Sequence, residues 1–310
     1  MTASDLPLLP DGLCPLPHLG VLRAQGDDAA NFLHNQLTQD VLLLRPDQAR
    51  LAAWCNAKGR MLASFVVCKP SADEVLLICR RDVLPAVLKR LSMFVLRAKV
   101  RLSDASDEHP LFGLTGTASL TALASTTKPW QRVALGDGAQ VLTLYPAQGQ
   151  ARGLWLAPAG VTPPAGPTLS AEQWAYGEVM SGVAWVGQPN VEAFVPQMLN
   201  YESVDGVNFK KGCYPGQEVV ARSQFRGTLK RRAFIVQAEV PMHEAQEVFS
   251  SLDAEQPCGR VAQVASLMGC HVGIAELQLA ALDGASLHLG NASGPLLQRL
   301  PLPYPLRDDL

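Results

Sequence analysis

No Cys-x-x-Cys pair occurs anywhere in the 310 residues; the seven cysteines stand singly at 14, 55, 68, 79, 213, 258 and 270. An odd, scattered set suits neither a disulfide framework nor a structural zinc site, and it fits a reducing cytosol. Nor are there four clustered cysteines to hold an iron–sulfur cluster permanently. Charge is also sparse. Charged residues make up 17% and the formal net charge is −2, so no broad basic field offers a general nucleic-acid surface. No apolar run approaches the roughly 20 residues a bilayer span needs. The first residues, MTASDLPLLPDGLCPLP, lack the basic start and long apolar core of a secretory signal. A Walker loop, a strand-linked dinucleotide fingerprint, a Gly-x-Ser-x-Gly elbow and a zinc-protease helix are all missing. The six histidines are scattered, and Cys270-His271 sits on a strand with its two side chains on opposite faces, so packing is the better reading for them. What is plentiful is apolar: 48% of the chain, enough to build a sizeable core in two or three packed units. The expectation is a monomeric cytoplasmic protein without membrane or direct nucleic-acid contacts.

The patterning gives an α+β chain. Gly26-Asp27-Asp28 can cap a helix whose apolar positions Ala29, Phe32, Leu33 and Leu37 recur through Asp40. LAAWCN and RMLASFVVCK read as strands joined by Ala57-Lys58-Gly59, and VLLIC as a third strand. Asp82 is placed to cap a helix with Leu84, Val87, Leu88 and Leu91 on one face, and AKVRLSD closes the series. A second strand-and-helix series follows at about 110–157, with TASLTALA as its helix. Two such units in succession predict a body of similar halves. Ser170 and Gln173 form a capping box for a helix containing Trp174, with Gly182 as its stop. From Lys230 onward the texture changes to short alternating strands punctuated by glycine, which predicts a small antiparallel barrel. The expected division is 1–230 for the body and 231–310 for the barrel.

The segment NFKKGCYPGQEVVARSQFRG, residues 208–227, carries the most chemistry. Cys213 lies in a turn between Gly212 and Tyr214-Pro215-Gly216, which exposes backbone. Lys210 and Lys211 precede it, and Arg222 and Arg226 follow. Nearby cations favour thiolate over thiol. Gln217 and Glu218 then open a helix. Alone, this pattern leaves two readings open, a working cysteine or a small apolar residue in an ordinary turn.

KGCYPGQE followed by VVAR resembles the signature of the YgfZ-type folate-binding proteins, relatives of the glycine-cleavage T-protein (aminomethyltransferase). QLTQD, AAWCNAKGRMLASF, LRAKVRL, PQMLNYE and FRGTLKR match the same family in order. The resemblance implies a T-protein-like fold, with two intertwined mixed α+β subdomains and a C-terminal antiparallel β-barrel around a central opening. It implies tetrahydrofolate or a derivative as ligand. The implied role is in iron–sulfur cluster assembly or repair, with effects on tRNA modification and transient contacts to iron–sulfur enzymes or assembly proteins.

A pteridine asks for a flat apolar surface and a few hydrogen-bonding groups, and its glutamate tail for a cation. On the resemblance, the folate-binding set is Trp174, Lys58, Asn56, Asn200, Tyr201, Tyr214, Gly212 and Gly216. Trp174 is equally a core anchor of its helix, Tyr201 equally a packed aromatic, and Lys58 by default a solvated charge. The expected catalytic set is Cys213 as reactive centre, Lys211 and Arg222 setting its electrostatics, and Gln217 and Glu218 orienting the loop or capping its helix. Three departures from the family stand out. Ala63 and Ser64 replace the acidic pair that the T-protein carries after this hairpin, which counts against aminomethyl transfer. Met180 replaces a pterin-binding glutamate, and Leu19 replaces a folate-contacting tryptophan. The alternatives are a folate-dependent one-carbon transferase (aminomethyltransferase or demethylase) and a docking scaffold that works without folate.

Overall fold

The computed structural model describes residues 6–116, 128–225 and 229–307. The helix expected at TASLTALA lies outside the described residues, as does Arg226. The chain opens with strand β1 (Gly12–Pro15), then β2 (Leu19–Gln25) and a short helix α1 (Ala29–His34). The hairpin strands β3 (Ala49–Cys55) and β4 (Met61–Cys68) follow, then β5 (Glu74–Arg80), helix α2 (Leu84–Ser92) and β6 (Arg101–Asp104). Strands β2 to β6 form an antiparallel sheet in the order β3-β4-β5-β2-β6.

Strand periodicity explains why this sheet reads as nearly continuous apolar runs. Successive side chains point to opposite faces, and here both faces are buried. Leu51, Ala53, Cys55, Leu76 and Ile78 enter the large central core. Their neighbours Ala52, Trp54, Val75, Leu77 and Cys79 meet α1 and α2 in a second core on the other face. Helix α1 stops at His34 rather than continuing to Asp40. Leu37 instead bridges Trp54, while the Thr38 hydroxyl donates to Gly206 O at 2.8 Å and accepts from Ala53 N–H at 2.8 Å. Asp82 does not cap α2 either: its carboxylate receives Arg80 and the backbone N–H of Gln188, both at 3.2 Å.

The second sheet joins β7 (Leu111–Thr115), β8 (Arg132–Ala134), β9 (Gln140–Ala147) and β10 (Gln150–Leu156) to β1 in the order β1-β7-β10-β9-β8. Because β1 leaves the start of the chain to pair with β7, the two halves are intertwined. Leu142, Leu144, Leu154 and Leu156 of this sheet meet the first sheet in the central core. Helix α3 (Ala171–Met180) starts with the expected capping box: Ser170 Oγ accepts from Gln173 N–H at 3.2 Å, and Gln173 returns the bond to Ser170 N–H at 2.8 Å. Helix α4 (Gln217–Phe225) follows the Cys213 turn.

The remaining strands, β11 (Arg231–Ala238), β12 (Glu247–Ser250), β13 (Asp253–Leu267), β14 (Cys270–Gln278), β15 (Leu287–Leu289) and β16 (Leu296–Leu300), close a barrel in the order β11-β14-β13-β12-β15-β16. Amide side chains fasten it to the body. Asn190 Nδ2 donates to Val261 O and Ala262 O at 3.2 and 3.0 Å, and Gln263 Oε1 accepts Trp185 N–H at 2.9 Å. Among the described residues no helix is long and apolar enough to cross a membrane.

Candidate functional site

Two motifs 157 positions apart in sequence, counted from Gly59 to Gly216, meet at one point. The β3–β4 turn is organised by Asn56, whose Oδ1 accepts the N–H groups of Lys58 and Arg60 at 2.9 and 3.0 Å. Gly59 takes a φ of +70° in this turn. Against it lies Gly216, at φ +78°. A Cβ on Gly216 would fall 2.4 Å from Asn56 O and 2.6 Å from the Gly59 N and Cα atoms. No side chain fits there, so the glycines let the Cys213 turn and the start of α4 rest directly on the hairpin. Asn56, Gly59 and Gly216 are thus the framework of a joint; Lys58 projects from it into solvent.

Cys213 is exposed on this turn, whereas the other six cysteines are buried. Burial pushes the thiols of Cys55 and Cys68 up to about 12, and that of Cys79 up as well. Two of the expected cations around Cys213, Lys211 and Arg222, are engaged elsewhere. Lys211 is only 8% exposed and turns inward, donating from Nζ to His34 O and to Leu37 O, the latter at 2.8 Å. Its ammonium also sits 4.6 Å from the centre of the Tyr214 ring. Desolvation lowers its pKa to about 8, against smaller raising effects from Asp40 and Cys213. Arg222 binds Glu218 at 2.8 Å one helical turn away, both well exposed. Gln217 donates its backbone N–H to Tyr214 O at 3.1 Å, closing the turn into α4.

Of the aromatic and amide residues expected around folate, Trp174, Tyr201 and Asn200 are buried, which for Trp174 and Tyr201 is the packed alternative the sequence left open. Trp174 is fully buried, with Arg152 stacked 4.5 Å from its ring centre on one side. Its ring also lies against Gly113, where a Cβ would come within 2.4 Å. Asn200 is also fully buried, in a left-handed conformation at φ +59°, and donates to Ala233 O of the barrel at 2.8 Å. The hydroxyl of Tyr201, another fully buried ring, donates to Ala184 O at 2.7 Å. Asn200 thus ties the body to the barrel, while Trp174 and Tyr201 pack within the body. Tyr214 is buried beneath Lys211, and Gly212 is exposed beside His34.

A cavity of about 770 Å³ opens beside the signature rather than at Trp174. Asn208, Phe209 and Lys210 form one wall, Trp130 and Gln131 another, and Gln39 and Arg50 come from the first sheet and its preceding loop. Arg50, Lys128, Lys210 and Arg307 bring four cations to it against the single carboxylate of Asp205. The Trp130 indole N–H donates to Val204 O at 2.9 Å, which holds the ring in place. Sequence reasoning missed Trp130 and Arg50. Neither sits in a motif, and only the fold brings them to the signature. It also left His34 among scattered histidines, although His34 Nδ1 lies 3.1 Å from Asp40 Oδ1, six residues on. No group of three or more His, Cys, Asp or Glu among the described residues is arranged to hold a metal ion.

Comparison with known proteins places this geometry. Residues 11–136 match the GCVT N-terminal domain. The chain is 31% identical over 240 residues to the tRNA-modifying protein YgfZ of Shigella sonnei, covering 74% of this chain and 72% of that one. It is 32% identical over 235 residues to the tRNA-modifying protein YgfZ of Cronobacter sakazakii, covering 72% and 70%. The chain belongs to the YgfZ family. The glycine cleavage system aminomethyltransferase T of Bartonella henselae superposes with a TM-score of 0.68 over 93% of this chain and 84% of that one, at 14% identity. That likeness establishes the T-protein-like fold. Within this YgfZ-family chain, Ala63 is fully buried beside Trp54, and Ser64 Oγ accepts Val186 N–H at 2.9 Å. Both positions serve packing. Leu19 and Met180 are likewise buried apolar side chains, 2% and 7% exposed.

Proposed function

We propose that this protein binds a reduced folate in the 770 Å³ cavity and acts in iron–sulfur cluster maintenance, with tRNA modification affected through enzymes that need such clusters. Cys213 is its reactive centre. The observation that carries the ligand is the make-up of the cavity walls in a YgfZ-family chain. Trp130, 4% exposed, and Phe209 bring aromatic rings to its lining, Gln131 and Asn208 bring amides for the edges of a heterocycle, and the cations suit a glutamate tail. The volume lies within the range of about 300–1,000 Å³ common to small-molecule sites. Membership of the family supports the tRNA-related role. Its contacts with iron–sulfur enzymes or assembly proteins are transient, and it works as a cytoplasmic monomer.

Titration calorimetry with tetrahydrofolate tests the ligand. Saturable binding is expected, weakened roughly 1.4- to 5-fold by Lys210→Ala, the worth of one exposed charge pair at about 0.2–1 kcal/mol. Absence of binding at millimolar ligand would overturn the folate reading and leave the folate-independent docking role.

A further inference from the structure

His34 and Asp40 form a buried pair directly under the Cys213 turn. The two side chains are 11% and 15% exposed. A carboxylate only accepts, so the hydrogen between them belongs to His34 Nδ1, and Nε2 carries the free lone pair. Nε2 has no hydrogen-bond partner among the described residues and faces the signature loop, 3.6 Å from where a Cβ on Gly212 would stand. The next residue is the exposed Cys213. Lys211 joins the same cluster from the other side, its ammonium bound to the backbone carbonyl of His34. Burial and then Lys211 lower the pKa of His34, against the opposing pull of Asp40, so the ring is neutral at neutral pH. Asp40, from the loop after α1, and Lys211, from the signature, are the charged groups that act on the imidazole, and Cys213 follows directly on the Gly212 that Nε2 faces.

We propose that His34, oriented by Asp40, is the positioning base that takes the thiol proton of Cys213. The inference rests on the reading of Cys213 as the reactive centre. A neutral imidazole held by a carboxylate beside a cysteine is the arrangement by which a thiol is activated for attack. In the step it serves, the S–H bond of Cys213 breaks and the proton passes to Nε2, giving an imidazolium held by Asp40. The sulfur pair forms an S–C bond to a soft alkyl electrophile, whose leaving group departs with its bonding electrons. A purely structural pair closing the end of α1 would not couple the ring to the reactivity of the sulfur.

The test is iodoacetamide labelling of the full chain from pH 6 to pH 10, with peptide mapping, for the parent, His34→Gln and Asp40→Asn. An unassisted thiol is only a few per cent thiolate at pH 7, so His34→Gln is expected to label Cys213 at least about tenfold more slowly there. At pH 10, where hydroxide removes the thiol proton unaided, the two rates converge. Asp40→Asn shows the same pH-dependent deficit in smaller measure. Equal rates for His34→Gln and the parent throughout, or a deficit that persists unchanged at pH 10, overturn the proposal. If His34→Gln fails to melt cooperatively, Asp40→Asn carries the test, and a parental profile for it overturns the proposal too. Complementation by Cys213→Ser in a strain lacking the protein checks the reading underneath: full rescue removes Cys213 as the working residue whatever the labelling shows.

Discussion

Gly216→Ala tests whether the signature loop is held by the hairpin. The Gly216 φ of +78° places an L-residue in the left-handed region, at a cost of about 1–2 kcal/mol. The new methyl would also stand 2.4 Å from Asn56 O and 2.6 Å from Gly59 N and Cα, all backbone atoms that cannot rotate away. Overpacking of this kind costs about 1–3 kcal/mol. Gly149 separates the two effects: its φ is also +78°, yet a Cβ there meets nothing within 4 Å. Gly149→Ala should therefore lose only the dihedral part, and Gly216→Ala about 1–3 kcal/mol more. Denaturation midpoints of the two variants measure the difference. Hydrogen exchange locates it: the Gly59 N–H, bonded to Asn56 O at 2.9 Å, should exchange roughly 5- to 150-fold faster in Gly216→Ala and at the parental rate in Gly149→Ala. Equal losses in the two variants, with Gly59 still protected, would refute the idea that this contact positions Cys213.

Two further outcomes follow from buried groups. The Lys211 pKa is about 8 in the folded chain against an ordinary 10.5, so between those values the unfolded chain binds the extra proton; stability should rise with pH across that window, and Lys211→Met should flatten the rise when unfolding is followed from pH 7 to pH 11. Ala63→Asp restores a carboxylate where the T-protein has one, but it puts that charge in a fully buried site among Phe65, Trp54 and Leu33; we expect a strongly destabilised chain and no aminomethyl transfer, and a stable variant with robust transfer from an aminomethyl-carrier protein would contradict this.

Where local chemistry decides the backbone, the sequence was readable. The Ala57-Lys58-Gly59 turn, the Ser170–Gln173 capping box and the alternating strands of the barrel all rest on residues within a few positions of one another. Distant partners defeated the same reasoning. Leu37 scans as the next apolar position of α1, yet Trp54 and Gly206 draw residues 37 and 38 out of the helix. Lys211 stands two residues from Cys213 and would be assigned to it, but carbonyls more than 170 residues earlier claim its ammonium. The turn at Cys213 was legible, but the contact of Gly216 with Gly59 was not; Trp174 stayed open between core anchor and ligand surface, because its burial depends on Gly113 and Arg152 of the second sheet.

The placement of β1 sets an order on how the chain can be completed. Its register pairs Gly12 with Thr115 and Pro15 with Phe112, and on its other side Leu13 bridges Thr168 and donates to Pro167 O at 2.8 Å. During synthesis at about 5–20 residues per second, this first segment waits on the order of 5–20 seconds for β7, and longer for Thr168. The entropic cost of closing so long a loop grows only logarithmically with its length. Until then β1 is unpaired and open to strands of other chains. An N-terminal truncation that removes β1 therefore leaves the first sheet whole and damages the second one, far along the chain from the cut.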